Sequence, residues 1–264
     1  MKVYIHELKA NFKSLLIWSI GIIFMIAGGM SKYSAASKSG QSMNELVSKM
    51  PKTIQSFFGM GSFDLSKAIG FYGVLFLYLA IMTTIHAGLL GATIISKEER
   101  DKTSEFLYIK PITRKMIISQ KILSALTHVI ILNLITLISS LMMVGYFSNG
   151  EPVTNIIIKL MIGLLLLQLI FLSLGLGLSA ISKNAKNAPS LVSGSLLFFF
   201  FIYKLSDMNT NLAFLRFFTP FKYFDAEYLI NNGFNSVYII LTFIIIITML
   251  IITYTFYDKR DLII

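Results

Sequence analysis

Two histidines, His86 and His128, lie inside long apolar stretches, where an imidazole can bind a metal ion or relay a proton. They stand about ten residues before and about seven residues after one charged segment, so at about 1.5 Å per helical residue each is expected roughly 10–15 Å from it. A metal site or proton relay needs further ligands or an acidic side chain at that depth. The polar residues available there are neutral: Thr83, Thr84, Asn133 and Gln168. Hydrogen bonding between helices and a substrate path through His86, His128, Asn133, Thr84 and Gln168 both remain open.

The sequence contains no G-x-x-x-x-G-K-[ST] phosphate-binding loop, so nucleotide hydrolysis by that route is excluded. Its nearest glycine cluster, Gly175 and Gly177 in LSLGLGLSA, lies in an apolar run without a lysine placed to reach a phosphate. An enzyme in the membrane would need an acid, a base or a nucleophile clustered at one depth, and no such cluster is visible. The chain is therefore not expected to be an enzyme, and the two glycines are expected to let helices pack closely.

Composition assigns these residues to helices in a membrane. The 264 residues are 55% hydrophobic and 14% charged, with a mean hydropathy of +0.74, whereas soluble domains average about 25% charged. Runs such as LLLLQLIFLSLGLGL do not alternate as barrel strands do, and six runs approach the roughly 20 residues that a helix needs to cross a bilayer. We expect an all-α integral membrane protein with one transmembrane domain over residues 1–264. Its spans are expected at about 15–31, 69–96, 119–145, 155–181, 189–204 and 237–257.

The amino-terminal residues KVYIHELKANFKSLL place Ile5, Leu8, Phe12 and Leu15 at helical spacings of three and four. This pattern predicts an interfacial helix over about 2–13, which lies on the membrane before the first span begins. A frayed tail is the alternative.

Lysine and arginine counts orient the helices, because short cytosolic loops carry an excess of both residues. Segments 1–14, 97–121, 183–189 and 257–264 hold 14 of the 23 basic residues, whereas five lysines are spread over 32–68. We therefore expect both termini in the cytosol, residues 32–68 outside, and a multi-pass protein of the plasma membrane. The net charge of +10 suits anionic lipid headgroups, and nucleic acid is not an expected partner.

The charged segment SKEERDKTSEFLYIKPITRKM, residues 96–116, joins the second and third predicted spans. Thr103 is a suitable cap for a helix whose first turn carries Glu105, where the positive end of the helix dipole favours an acid. Pro111 takes the residue before it out of helical geometry. A short helix over about 104–109 is therefore predicted on the cytosolic side.

This short helix would present apolar side chains to the cytosol. Phe106, Leu107 and Ile109 would have little of their own chain beneath them, so we expect them to contact a partner. Thr113 is expected to cap the helix that follows. A solvated loop of balanced charge is the alternative.

The same segment resembles the cytoplasmic coupling segment of type II ATP-binding-cassette exporter permeases. The resemblance rests on an acidic pair, a threonine, a further acid, a leucine, and a proline followed by a basic residue: Glu98, Glu99, Thr103, Glu105, Leu107, Pro111 and Arg114. The amino-terminal helix, the six spans and TPFKYFDAEYL before the last span are similar to that family as well. The family often has glycine where this chain has Lys102, so the turn there is expected to be less tight.

The resemblance implies that the segment docks on a separate cytosolic ATPase, which binds ATP and magnesium, and that this chain binds no cofactor itself. The residues expected to form the contact are Glu98, Glu99, Arg100, Thr103, Glu105, Phe106, Leu107, Tyr108, Pro111 and Arg114. The resemblance also implies export as the direction of transport and a dimer of permeases, either two copies of this chain or this chain with a paralogue.

Aromatic and charged residues are interleaved in FLRFFTPFKYFDAEYL, ahead of the last span. Such a segment suits an aromatic belt at the outer membrane surface. The resemblance implies an outer gate formed by Phe217, Phe218, Pro220, Phe221, Tyr223 and Phe224. General anchoring in the interface is equally compatible with these residues.

Two classes of function follow. The first is a permease subunit that couples ATP hydrolysis by the separate ATPase to export of amphipathic or hydrophobic cargo. Such cargo would be an antimicrobial or toxin peptide, a lipid-like molecule or a drug, because the spans offer no charged central site for an ion or a sugar. The alternative is a non-transporting membrane assembly protein or an integral membrane enzyme.

Overall fold

A computed structural model of the chain describes residues 2–38, 43–60, 63–101, 113–148, 150–182, 184–208 and 210–259. These residues form helices joined by short connections, and no β-strand occurs among them. In chain order the α-helices are α1 (Lys2–Lys38), α2 (Met43–Ser48), α3 (Lys52–Phe58), α4 (Ala68–Arg100), α5 (Arg114–Phe147), α6 (Thr154–Ile181), α7 (Ala188–Met208), α8 (Pro220–Tyr223), α9 (Ala226–Asn232) and α10 (Ser236–Asp258). Two 3-10 helices, Ala185–Asn187 and Thr210–Phe217, precede α7 and α8.

Six helices in the described part of the chain are long and apolar enough to cross a membrane: α1, α4, α5, α6, α7 and α10. Each of the six predicted apolar runs lies within one of them. A helix makes its backbone hydrogen bonds internally, which a spanning segment requires because lipid supplies no partners. The chain is an all-α integral membrane protein, as the sequence predicts.

The helix of the first span begins earlier than the apolar run alone indicates. α1 is one helix of 37 residues, and the predicted interfacial segment over 2–13 forms its first turns. Neither proline nor glycine occurs before Gly21, so the local sequence does not end the helix where a change of direction is expected. These turns pack on α5, where the Tyr4 N–H donates to Gln120 Oε1 at 3.3 Å. The interfacial segment is therefore the beginning of α1 and not a helix of its own.

α4 and α6 form the centre of the bundle and are the most buried of the six spans. They approach closely at glycines, since a Cβ added at Gly91 would collide with the α6 backbone and one at Gly175 with the carbonyl oxygen of Gly88. Gly177 faces α10 instead, where Met249 Sδ lies 2.9 Å from the position of an added Cβ. Small residues let helix backbones approach in a membrane, so the close packing predicted for Gly175 and Gly177 is confirmed.

The two ends of the bundle carry the two regions that the sequence singles out. At the α4–α5 end, α4 finishes at Arg100 and α5 begins at Arg114, which donates to the Asp258 carbonyl oxygen of α10 at 3.1 Å. At the opposite end, called the α8 end, Tyr33 of α1 donates to the Ser66 carbonyl oxygen at 3.0 Å. There the short helices α3 and α8 pack on α7, and α9 packs on α4 and α6.

Candidate functional site

A buried group of charged side chains lies at the α4–α5 end, next to the segment for which the sequence predicts a partner. Lys121 of α5 is fully buried, and its Nζ donates to Glu98 Oε1 and to the Ile94 carbonyl oxygen, both at 2.5 Å. The same Nζ lies 3.4 Å from Oε1 of Glu7 on α1, and Lys97 Nζ lies 3.9 Å from the other carboxylate oxygen of Glu7. We call Glu7, Lys97, Glu98 and Lys121 the buried ion cluster.

Charges balance in the buried ion cluster, where two carboxylates face two ammonium groups. Burying an ion away from water is costly unless an opposite charge and hydrogen bonds compensate it. Glu7 is 1% exposed and Lys121 0% exposed, so each depends on its partners inside the protein. Because Glu7 belongs to α1, Glu98 to α4 and Lys121 to α5, the cluster joins three spans at one level of the bundle.

The residues predicted to contact an ATPase begin in the last turn of α4, which contains Glu98, Glu99 and Arg100. Glu98 belongs to the buried ion cluster, and Arg100 pairs with the adjacent Asp101 at 2.9 Å. Six further predicted contact residues lie outside the described residues: Thr103, Glu105, Phe106, Leu107, Tyr108 and Pro111.

α5 follows this segment and begins at Arg114. Thr113 caps the helix as predicted, because its Oγ1 accepts a hydrogen bond from the Met116 N–H at 3.3 Å. Arg114, also predicted to contact the ATPase, holds the first turn of α5 against the end of α10. The first turn of α5 is therefore capped and fixed to a neighbouring span.

The two histidines are both buried in the bundle. His86 of α4 meets Trp18 of α1 edge to face, with ring centroids 5.7 Å apart, and its Nδ1 has no hydrogen-bond partner among the described residues. His128 is hydrogen-bonded through Nδ1 to the Ser124 carbonyl oxygen of its own helix at 2.9 Å. His128 is thus satisfied within α5, whereas His86 contributes to the packing of α1 on α4.

Two of the remaining polar residues meet across helices. Asn133 Nδ2 of α5 lies 3.4 Å from Gln168 Oε1 of α6 and 3.2 Å from the Met161 carbonyl oxygen. Thr84 donates at 2.7 Å to the Ala80 carbonyl oxygen one turn earlier in α4. Asn133 and Gln168 therefore form the interhelical hydrogen bond that is one of the two interpretations from sequence, and Thr84 bonds within its own helix.

The predicted outer-gate residues divide into an exposed pair and a buried group. Phe217 and Phe218, before α8, are 53% and 64% exposed. The other four are buried where α8 enters the bundle: Pro220, Phe221, Tyr223 and Phe224. The segment ahead of the last span is thus folded into the protein and does not lie wholly on its surface.

Aromatic contacts anchor α8 to three spans. The Phe221 ring lies 5.1 Å from that of Phe171 on α6 and 5.9 Å from that of Phe200 on α7. Tyr223 stacks on Tyr238 of α10 with ring centroids 4.9 Å apart. Burial raises the pKa of the Tyr223 hydroxyl to about 12, so this group is neutral at physiological pH.

Charged side chains are also paired at the α8 end. Lys222 Nζ donates to Asp207 Oδ1 at 2.7 Å and lies 3.7 Å from Asp225 Oδ2, which also accepts from the Tyr203 hydroxyl at 2.6 Å. Lys204, 2% exposed, lies over the Tyr203 ring with Nζ 4.6 Å from the centroid. Burial alone would lower the pKa of Lys222, but the Asp225 and Asp207 carboxylates outweigh it and raise this pKa above its ordinary value. We call Lys204, Asp207, Lys222 and Asp225, together with the Tyr203 hydroxyl, the α8 ion cluster.

The whole sequence matches a known transporter family. A family model described as "ABC-2 family transporter protein" covers residues 1–262. The chain belongs to the ABC-2 transporter family. A search of curated proteins found no match. Membership of the ABC-2 family implies the membrane subunit of a transporter rather than an enzyme, in agreement with the six spans.

The two ion clusters of this ABC-2 transporter are candidate functional groups whose pairings the sequence patterns do not predict, although Glu98 is itself a predicted contact residue. In the sequence, Lys121 and Glu7 count only as charges near a membrane surface, and Lys204 stands at the end of an apolar run. A signal was nevertheless present, because Lys121 lies about two turns into α5 and an ionisable residue within a span is by default a functional candidate with a partner. The partner itself depends on how the helices pack.

Proposed function

We propose that this chain is the permease of an ATP-driven exporter and that a separate cytosolic ATPase docks on the segment between α4 and α5. The buried ion cluster is the observation that supports this proposal, because it ties α1, α4 and α5 together near the ends of α4 and α5 that flank this segment. In this proposal the ATPase binds ATP and magnesium, and the permease binds neither.

The segment between α4 and α5 connects two spans directly. A conformational change is driven only by contacts that differ between two states. The docking segment continues α4 at one side and enters α5 at the other, so a displacement of the segment acts on both helices, and the buried ion cluster passes it to α1. Packed helices that move as one body are a common element of such transitions. The α4–α5 end would thus convert closure of the ATPase into movement of three spans.

Docking itself is assigned to Phe106 and Leu107, with Glu99 and Glu105 orienting the partner. Buried aromatic and aliphatic anchors usually dominate the energy of an interface, while charges steer the encounter and select the orientation. Glu98 has a different part in this scheme, because Lys121 already engages it inside the permease.

Cargo is proposed to be amphipathic or hydrophobic, such as a peptide, a lipid-like molecule or a drug. The polar pair between α5 and α6, Asn133 and Gln168, is neutral, which suits such cargo better than an ion. Deletion of the chain should sensitise cells to an amphipathic peptide or drug, and unchanged sensitivity across such compounds would contradict the assignment.

The docking proposal is tested by the double substitution Phe106→Ala and Leu107→Ala in a tagged permease purified together with its ATPase. We expect copurification of the ATPase to fall about tenfold or more, because truncating two anchors removes at least about 1.4 kcal/mol of binding free energy. Membrane insertion of the permease should remain normal.

The matched control is Lys183→Ala with Lys186→Ala, in the other predicted cytosolic loop, which should retain most of the ATPase. If the Phe106 and Leu107 variant binds its ATPase normally and transports at the wild-type rate, docking at this segment is wrong.

We also propose that the working unit contains two permeases. The residues suggested for a substrate path are buried against neighbouring helices of the same chain, as Asn133 and Gln168 illustrate, so a path along the face between two copies is the simpler arrangement. Cross-linking that yields only monomer, in a preparation that still transports, would contradict this pairing.

A further inference from the structure

A cavity of about 470 Å³ lies at the α8 end, lined by α3, α4, α6, α7, α8, α9 and the 3-10 helix Thr210–Phe217. Leu77 and Ala80 of α4 and Leu167 of α6 form an apolar wall, and Ala80 stands about 18 Å along α4 from its start. The rest of the lining is mixed, with aromatic rings as well as charged side chains. The volume is within the range of about 300–1,000 Å³ that is typical of small-molecule sites, and a lining that combines apolar and charged side chains suits an amphiphile.

Three acidic and three basic side chains line this cavity: Asp207, Asp225, Glu227, Lys52, Arg216 and Lys222. The chain itself engages both aspartates, since Asp207 accepts from Lys222 at 2.7 Å and Asp225 accepts from the Tyr203 hydroxyl at 2.6 Å. Glu227 is exposed to solvent. The acidic groups are therefore paired or hydrated, and the cavity is not built for a cation.

Arg216 differs from these groups because one of its donors is left without a partner. Its Nε is buried and makes no hydrogen bond to any described residue, and its side chain lines the cavity. A buried donor without an acceptor is unfavourable, and a guanidinium binds carboxylate or phosphate through two parallel hydrogen bonds. The Arg216 guanidinium lines the cavity and is the group that an anionic head would bind there, and Lys52 is a further basic residue of the lining.

We propose that this cavity binds a single-chain amphiphile with an anionic head, phosphate or carboxylate. The head binds Arg216, and the alkyl chain lies against Leu77, Ala80 and Leu167. The site is at the opposite end of the bundle from the proposed docking segment. Binding is a property of the permease alone and does not depend on the exporter proposal.

The test uses the whole chain in phosphatidylcholine nanodiscs, without an ATPase, and a dodecyl phosphate probe that carries a diazirine in its alkyl chain. We expect light-induced labelling within residues 73–80 or 221–227, two stretches that contain lining residues of the cavity. Unlabelled dodecyl phosphate and laurate should displace the probe, whereas dodecyltrimethylammonium and inorganic phosphate should not.

Substitutions distinguish a specific contact of the probe with Arg216 from a general effect of the protein's positive charge. Arg216→Gln should lower labelling about tenfold, the effect expected from losing a charge-assisted hydrogen bond, and Arg216→Lys should keep part of it. Lys159→Gln is the matched control, because it removes one positive charge from an exposed position on α6 and should label like the wild type. The Glu227→Gln variant should be labelled at least as strongly as the wild type. Leu77→Trp fills the apolar wall and should lower labelling without a change of charge, which keeps the test decisive if Arg216 variants misfold.

Equal labelling of the wild type and Arg216→Gln at these residues would overturn the proposal. So would equal displacement by the cationic amphiphile, displacement by inorganic phosphate alone, or labelling confined to other residues.

Discussion

At the scale of single residues, Lys121 is the most sensitive position of the α4–α5 end. Replacing it with methionine keeps the length of the side chain but leaves Glu7 and Glu98 without their nearest buried positive charge, and an uncompensated buried charge costs about 3–5 kcal/mol. We expect Lys121→Met to lower the free energy of unfolding by about this amount. Unfolding in nanodiscs is followed by the fluorescence of Trp18, the single tryptophan of the chain, which packs on His86.

Lys115→Met is the matched control, because Lys115 lies on the same helix and is exposed. Its effect should stay within about 0.5 kcal/mol. Glu7→Gln should cost less than Lys121→Met, since Lys121 then keeps Glu98. Equal stability of all three variants and the wild type would show that the buried ion cluster does not hold α1, α4 and α5 together.

The α8 ion cluster predicts a dependence of stability on pH. Although burial opposes it, the Asp225 and Asp207 carboxylates raise the pKa of Lys222 above its ordinary value of 10.5. The charge of Lys222 therefore stabilises the fold fully below pH 10.5, and this contribution is lost as the pH rises through the higher pKa of the folded protein. The difference in melting temperature between the wild type and Lys222→Met should be constant from about pH 7 to 10 and shrink above that range. A difference that shrinks towards neutral pH would contradict this sign.

At the scale of helices, the contact of α4 with α6 depends on glycine. In Gly175→Leu the new side chain meets the carbonyl oxygen of Gly88, which belongs to a helix backbone and has little freedom to move. We expect a loss of stability of at least about 1–3 kcal/mol, as overpacking of an interior usually causes. Gly145→Leu is the control, because no atom lies within 4 Å of a Cβ added there. Both variants are compared by melting temperature and by the yield of monodisperse protein. Equal behaviour of the two would mean that the close approach is dispensable.

At the scale of the whole molecule, the basic residues predict that the α4–α5 end of the bundle faces the cytosol. The chain has no cysteine, so single cysteines report on topology directly. Lys102→Cys, in the predicted cytosolic segment, should resist an impermeant thiol reagent in intact cells and react after permeabilisation. Lys49→Cys, at an exposed position between α2 and α3, should react in intact cells. Labelling of Lys102→Cys from outside would reverse the orientation inferred from the basic residues.

The sequence by itself determines the class of this protein and the positions of its spans. Six apolar runs, each close to the thickness of a bilayer, form helices because lipid leaves the backbone no other partners. The cap at Thr113 is equally local, since it depends on residues within one turn. The small size of Gly175 marks close packing before any neighbour is known. These features depend on the residues themselves and on a few neighbours in the chain.

Only the tertiary structure decides which distant residues meet. Glu7 and Lys121 look like unrelated surface charges in the sequence, yet the structure buries them together, and it pairs Lys222 with Asp207 across two short connections. An apolar pattern specifies roughly how deep a residue lies, but the rotation and the neighbours of each span come from the packing of all the helices together. Once that packing buries an ion, the cost of leaving it unpaired selects its partner.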